Sequence, residues 1–319
     1  MTKEDETSSS GIWERELVTK LATAALKEQR RARLWGIFFK LLTFAYISLI
    51  LLMAIDWKGA DVAGGRKHTA MVEVNGIIAP GTDASAERIN SALQAAFKDK
   101  NTQGVVVRIN SPGGSPVQAQ TIYDEMKRLR QLHPTIPLYA VVEDVCASGG
   151  YFVAAGADRI YVGKASIVGS IGVLMNGFGF TGLMDKLGVD RRLITAGENK
   201  GMLDPFSPIN PRDVEHAREM VNDIHQQFIS VVREGRGKRL KETPDMFTGL
   251  IWTGQKSIEL GLADGLGTLD SVARDVIKAD EIVDYSRKEN IAEKFARRFG
   301  VAAANTVVEA LLRSSPMLR

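Results

Sequence analysis

Ser148 lies in Asp144-Val145-Cys146-Ala147-Ser148-Gly149-Gly150-Tyr151, directly after an apolar run at 137–143. A serine at the entry to a helix, flanked by Ala and Gly, has an exposed hydroxyl and an uncrowded backbone. The N–H of the next residue, Gly149, points along the helix N-terminus, which suits an oxyanion. The stretch reads equally well as a serine capping a helix. A second stretch, Ile109-Asn110-Ser111-Pro112-Gly113-Gly114-Ser115, also follows a strand pattern and precedes a helix pattern. Its glycines let the backbone approach a ligand and offer N–H groups to an anion. The Gly-Lys-Ser/Thr ending of a phosphate loop is absent. One donor of an oxyanion hole, or a plain βα turn, are the readings left. In the third stretch, Thr195-Ala196-Gly197-Glu198-Asn199-Lys200-Gly201-Met202, a lysine follows an expected strand at 189–195. A solvated surface lysine is the default there. As a base it must be neutral, which demands burial or a neighbouring cation.

No Ser/His/Asp triad assembles from the sequence. His133 precedes Ser148 in a His-Pro turn, and no histidine follows within the α/β core. If Ser148 is a nucleophile, a lysine is the favoured base. His68, His133, His216 and His225 lack metal-ligand spacing, so neither a metal nor a cofactor is expected.

The elements that must position these residues are legible from periodicity. Strands are expected at 70–78, 104–110 and 137–144, and helices at 84–99 and 116–132. Strands alternating with helices argue an α/β fold with parallel pairing. A long helix is expected from Pro211, with Val214, Ala217, Met220, Val221, Ile224 and Phe228 on one face.

The 319 residues carry 41 Lys+Arg against 38 Asp+Glu, a formal charge of +3. Apolar residues are 45% and charged residues 25%, which excludes a disordered chain, a collagen and a small disulfide scaffold. Basic residues are scattered, without a basic-aromatic stripe, so nucleic acid is not an expected partner. With Cys146 as the one cysteine, no disulfide forms within the chain. Five segments are expected: a polar N-terminal segment 1–33, a membrane-spanning helix 34–56, a linker 57–69, a folded domain 70–283 and an amphipathic tail 284–319. From Leu34 to Ile55 the only charge is Lys40. At about 1.5 Å per residue this run matches the roughly 30 Å hydrocarbon thickness. Trp35 and Trp57 sit near its ends, and Lys20, Lys27, Arg30, Arg31 and Arg33 before it outnumber Lys58, Arg66 and Lys67 after it, placing the N-terminus inside. In 12–33, Trp13, Leu17, Leu21 and Ala25 recur every four residues, as on a surface-lying helix or a charged stalk.

Together the three stretches resemble the signal peptide peptidase A family of membrane-bound serine peptidases, in its short form with one catalytic unit. The resemblance covers about residues 70–280. Its strongest part is ASGGYFVAAGADRIYVGKASIVGSIGVLMN (147–176), followed by TAGENKGMLDPFSP and WTGQKSIELGLADGLG (252–267). The resemblance implies a spiral of ββα units shared with the Clp protease subunit and the crotonases. It implies Ser148 as nucleophile, Lys200 as general base and Ser170 as the serine that holds the lysine. Gly114 and Gly149 match the oxyanion-hole donors, and Gly113, Met175 and Phe178 fall on the substrate side. The segments 173–175 and 178–180 line a hydrophobic groove or pack in a core. Where the family commonly has an aromatic residue before the lysine, this chain has Asn199. The implied substrates are hydrophobic peptides, namely spent signal peptides in the membrane. The implied assembly is a homo-oligomeric ring with sites between protomers. The implied place is the bacterial inner membrane, catalytic domain outside the cytoplasm. Rival readings are a related peptidase acting on a stomatin-like membrane partner, a crotonase-like acyl-CoA enzyme and an inactive scaffold.

Overall fold

The computed structural model describes residues 23, 26–49 and 66–286. Most of the 1–33 segment, Ile55, Trp57, the linker before Arg66 and the tail beyond Ser286 lie outside the described residues. Two compact units divide the chain, Ala63–Lys288 being one and the flanking residues the other.

In the flanking unit, helix α1 (Leu26–Leu49) is long and apolar enough to cross a membrane. Its apolar side chains, Trp35, Phe38, Phe39 and Phe44 among them, are exposed.

The larger unit is built on an eight-stranded sheet. Its elements in order are β1 (His68–Asn75), α2 (Ala86–Lys98), β2 (Thr102–Ser111), α3 (Pro116–Leu132), β3 (Leu138–Ala147), α4 (Gly149–Ala154), β4 (Arg159–Val162) and β5 (Ile167–Gly169). After these come α5 (Thr181–Leu187), α6 (Pro211–Arg236), β6 (Ile251–Thr253), α7 (Gly254–Glu259), β7 (Gly265–Leu266), α8 (Leu269–Ser271) and β8 (Ile282–Asp284). The main path runs β6-β5-β3-β2-β1-β8, with β4 and β7 branching from β3. All pairs are parallel except β5 with β6. The β-branched residues Val72, Val74, Val105, Val107 and Ile109 form the buried centre, as a parallel sheet covered on both faces requires. Helices α2 and α3 cover one face with Ile89, Leu93, Phe97, Ile122 and Met126. On the other face Val106, Val141, Tyr161 and Val272 form a smaller cluster.

Strand β3 has two partners in succession. Tyr139–Val142 pair with β4, and Val145–Ala147 pair with β5. The sheet forks there, and the fork sets the direction in which β3 ends. The strand runs to Ala147, three residues past the expected end, so it delivers Ser148 directly.

Helix α4 is anchored from below. The Tyr151 hydroxyl donates to the Leu262 carbonyl at 2.8 Å. Beside it Arg236, whose side chain is fully buried, donates to the Gly261 carbonyl and to Asp264, each at 2.8 Å. Burial by itself raises the Asp264 carboxyl, but the hydrogen bond and charge of Arg236, the Ile160 amide and Arg239 outweigh it and hold it below the ordinary range. A carboxylate lowered on folding stabilises the native state above its unfolded value and loses that contribution as pH falls through the folded one. Unfolding free energy is therefore expected to fall on acidification below about pH 4. Asp264→Ala, which leaves Arg236 buried without its partner, is expected to cost about 3–5 kcal/mol in denaturant melts and to flatten that acid limb.

Candidate active site

Ser148 is the single residue between β3 and α4. Its backbone has φ 51° and ψ −123°, and it carries no side-chain capping bond. The helix-cap reading therefore fails. Such a conformation costs a non-glycine residue of order 1–3 kcal/mol and persists only where neighbours fix it. Here the Ser148 N–H donates to the Gly169 carbonyl at 2.8 Å, and the Phe152 N–H donates to the Ser148 carbonyl at 3.0 Å. The hydroxyl is left free of local bonding and half-buried.

Ser170 repeats the pattern one strand over. It follows β5, has φ 51°, and donates its N–H to the Leu250 carbonyl at 2.7 Å. Ala147 and Gly169 are paired in register, so the residues after them, Ser148 and Ser170, emerge side by side from neighbouring strands. His225 on α6 reaches this segment from behind, its Nε2 lying 3.2 Å from the Ile171 carbonyl.

The glycine loop after β2 packs directly on Ser148. A Cβ on Gly113 would lie 2.6 Å from the Gly149 nitrogen and 2.8 Å from Ser148 Cβ. One on Gly149 would lie 3.2 Å from the Gly114 nitrogen. Gly114, at φ 152°, is held against the chain after β1, where a Cβ would meet the Ile78 carbonyl oxygen at 2.1 Å. That chain and the loop are paired: the Ile78 N–H donates to Gly113 O at 2.9 Å, and the Ser115 N–H to Ile78 O at 2.8 Å. The Gly114 and Gly149 amides thus lie close together beside Ser148, and neither donates to any group among the described residues. Two such N–H groups next to a hydroxyl suit an oxygen that gains negative charge.

Two further candidates, Cys146 and His133, are excluded by position. Cys146 is fully buried, and burial pushes its thiol up, away from the reactive thiolate. His133 caps the C-terminus of α3, just ahead of β3. The ten-residue β3 separates it from Ser148 by roughly 30 Å at 3.3 Å per residue. Among the described residues no cluster of His, Cys, Asp or Glu is arranged to hold a metal.

Lys200, Met175 and Phe178 lie elsewhere, on an exposed arm between Val173 and Ile209. The expected strand at 189–195 does not form. Its apolar residues Val189, Leu193 and Ile194 find no sheet edge among the described residues and remain exposed. The arm folds on itself: Phe180 stacks on Phe206 at 5.5 Å, its N–H donates to Pro205 O, and Arg191 pairs with Asp204 at 3.2 Å. Core packing of Met175 and Phe178 is also overturned, Phe178 being 80% exposed. Lys200 is exposed and its side chain makes no hydrogen bond or ion pair among the described residues. The structure therefore brings together Ser148, Ser170, Gly113, Gly114 and Gly149, and leaves Lys200, Met175 and Phe178 on the arm. Sequence reasoning missed the Gly76–Ile78 chain that braces the glycine loop. These residues fall inside the strand expected at 70–78, which in the structure ends at Asn75, and the signal was the glycine at position 76 within that pattern.

The model for peptidase family S49 matches residues 130–282, and that for Clp protease matches residues 70–168. A putative protease of Methanocaldococcus jannaschii is 31% identical over 268 residues, covering 80% of this chain and 85% of the relative. The chain belongs to peptidase family S49. A putative signal peptide peptidase of Enterococcus faecium is 30% identical over 232 residues, 70% of this S49 chain and 67% of the relative. A Brucella abortus protein named as an Na(+)/H(+) antiporter is 47% identical over 182 residues, or 57% of this chain. The match spans only 25% of that protein. The Clp protease match agrees with the forked α/β sheet and places the fold class where the sequence put it.

Gly113→Ala is expected to push the glycine loop off Ser148 and Gly149. Misplacing an oxyanion donor costs about 10²–10³-fold in kcat, so peptide turnover should fall by that order, read in a fluorogenic assay.

Proposed function

We propose that this chain is a membrane-anchored serine endopeptidase that cleaves hydrophobic peptides with Ser148 as nucleophile and Lys200 as general base. The observation that carries the reading is the strained Ser148 set against two unpaired amides, those of Gly114 and Gly149. Membership of a peptidase family supports it.

In this mechanism Lys200 Nζ takes the proton from Ser148 Oγ as Oγ bonds to the peptide carbonyl carbon. The carbonyl oxygen becomes an oxyanion and accepts hydrogen bonds from the Gly114 and Gly149 N–H groups. The C–N bond then breaks, and Lys200 returns its proton to the leaving amine. Water releases the acyl group from Ser148 by the same steps in reverse. Ser170, next to Ser148 in the sheet, holds the lysine amine in place.

A lysine serves as a base only where its charge is stripped by a dry surround. Lys200 is exposed in the single chain, so its cover comes from a second copy. The arm is suited to that contact, since it presents Leu174, Phe178, Ile194 and Ile209 to solvent. These face a neighbouring protomer in a homo-oligomeric ring, with each site completed across the interface, and Gly113, Met175 and Phe178 line the groove for an extended apolar substrate. The 34–56 segment, whose part up to Leu49 belongs to helix α1, is the membrane anchor, with the N-terminus cytoplasmic and the 70–283 domain on the outer side of the inner membrane. Spent signal peptides suit this location and groove, and the likeness to a putative signal peptide peptidase of Enterococcus faecium supports that substrate class.

Ser148→Ala and Lys200→Ala are each expected to lose turnover of an apolar fluorogenic peptide by about 10⁴-fold or more. Mixing and reassembling the two inactive variants is expected to restore part of the activity, because some interfaces then pair an intact Ser148 with an intact Lys200. Full activity in Lys200→Ala removes the lysine from the mechanism. No recovery on mixing places both residues of a site in one protomer.

A further inference from the structure

Ser111 takes no part in the chemistry above, yet it is fully buried and its hydroxyl is engaged twice. Oγ donates to the Gly76 carbonyl at 2.6 Å and accepts from the Gly113 N–H at 3.1 Å. Ser111 is the last residue of β2 and pairs with Cys146 across a register shift. Its backbone also abuts α4, where a Cβ on Gly150 would lie 2.9 Å from Ser111 O and 3.3 Å from Ser111 Cβ. One residue thus joins three pieces, its hydroxyl bonding the chain after β1 and the glycine loop and its backbone packing on the helix that starts after Ser148.

The loop needs such a restraint. Gly113 at φ 101° and Gly114 at φ 152° occupy conformations that only glycine adopts freely, and glycine has little preference of its own to hold them. Ile78 holds the Gly113 carbonyl, which shares a peptide plane with the Gly114 N–H, and Ser111 holds the Gly113 N–H in the plane before it, so both planes that meet at the Gly113 Cα are gripped. That grip fixes where the Gly114 N–H points.

We propose that Ser111 is a positioning residue for the oxyanion hole: its buried hydroxyl aims the Gly114 amide at the oxygen of the tetrahedral intermediate. The proposal rests on the Ser148 and Gly114/Gly149 reading given above. A hydroxyl is required because the site asks for a donor and an acceptor in one small side chain. Alanine would leave the buried Gly113 N–H without its acceptor and the Gly76 carbonyl without its donor, and free the loop to move.

The test uses the full chain and the Ser111→Ala variant, with an apolar fluorogenic peptide, a peptide boronate that forms a tetrahedral adduct on Ser148, and ground-state binding of the same peptide in the Ser148→Ala background. Small misplacement of catalytic groups costs up to about 10²-fold, so kcat should fall by about tenfold or more while KM stays near the wild-type value. Boronate affinity should fall in step with kcat/KM. Peptide binding should be the same in Ser148→Ala and in Ser148→Ala/Ser111→Ala. A purely structural role would move stability, or would weaken peptide and boronate binding alike, and either result with kcat unchanged overturns the proposal. If Ser111→Ala does not fold, Ser111→Cys decides: its thiol bonds weakly, so kcat should drop at unchanged KM, and a wild-type kcat overturns the proposal. A wild-type chain with no Ser148-dependent turnover sinks the underlying reading, which is a distinct result from an active chain indifferent to Ser111.

Discussion

The change of partner along β3 is the constraint on which the rest of the site depends. The first half of the strand pairs with β4 and the last three residues with β5. Because β5 ends beside Ala147, its Gly169 carbonyl is in place to take the Ser148 N–H. That bond holds Ser148 at positive φ, and positive φ lifts the hydroxyl out of the helix-cap geometry it would otherwise adopt. If the strand kept one partner to its end, Ser148 would relax into an ordinary cap and its oxygen would be used by the helix. The same pairing brings Ser170 alongside, strained in the same way.

Strain of this kind has to be offset by packing, and the packing lies beneath α4. Tyr151, Phe152 and Val153 are buried, Tyr151 reaches the Leu262 carbonyl, and Phe152 meets Phe228 of α6 at 5.1 Å. Arg236 and Asp264 lock the same layer by charge. The six-residue helix is too short to hold itself together. Its position is a property of the core, which is why a network distant from the hydroxyl bears on the chemistry.

The arm obeys a different logic. The larger unit buries its apolar residues efficiently, but 173–209 leaves a series of them in water, with Ile194 at 95% exposure. A segment held by a few contacts to itself and carrying the proposed base is poorly suited to work alone. Covering it would bury apolar surface and dry the lysine at once, so assembly and activity are coupled in the proposed enzyme.

The sequence by itself determined the elements with strong periodicity. Helix α3 forms at 116–132 as its pattern and its Ser115-Pro116 start require, and β1, β2 and β3 fall on their β-branched runs. The glycine loop and the Ser148 stretch, which the structure brings together, were legible too, because glycine pairs and a serine before them are conspicuous by type. Three things were decided only in three dimensions. The choice between cap and free hydroxyl at Ser148 turned on a carbonyl 21 residues away, at Gly169. The expected strand at 189–195 has the right residues but no sheet edge to join among the described residues, and strand formation needs a partner's hydrogen bonds as well as propensity. The pairing of Gly114 with Ile78 and the double role of Ser111 depend on β1 and β2 lying in register. Local pattern specifies which segments can become helices and strands, since that depends on neighbours a few residues apart. Where a hydroxyl or an amide finally points depends on contacts between segments distant in the chain, and those exist only once the sheet has formed.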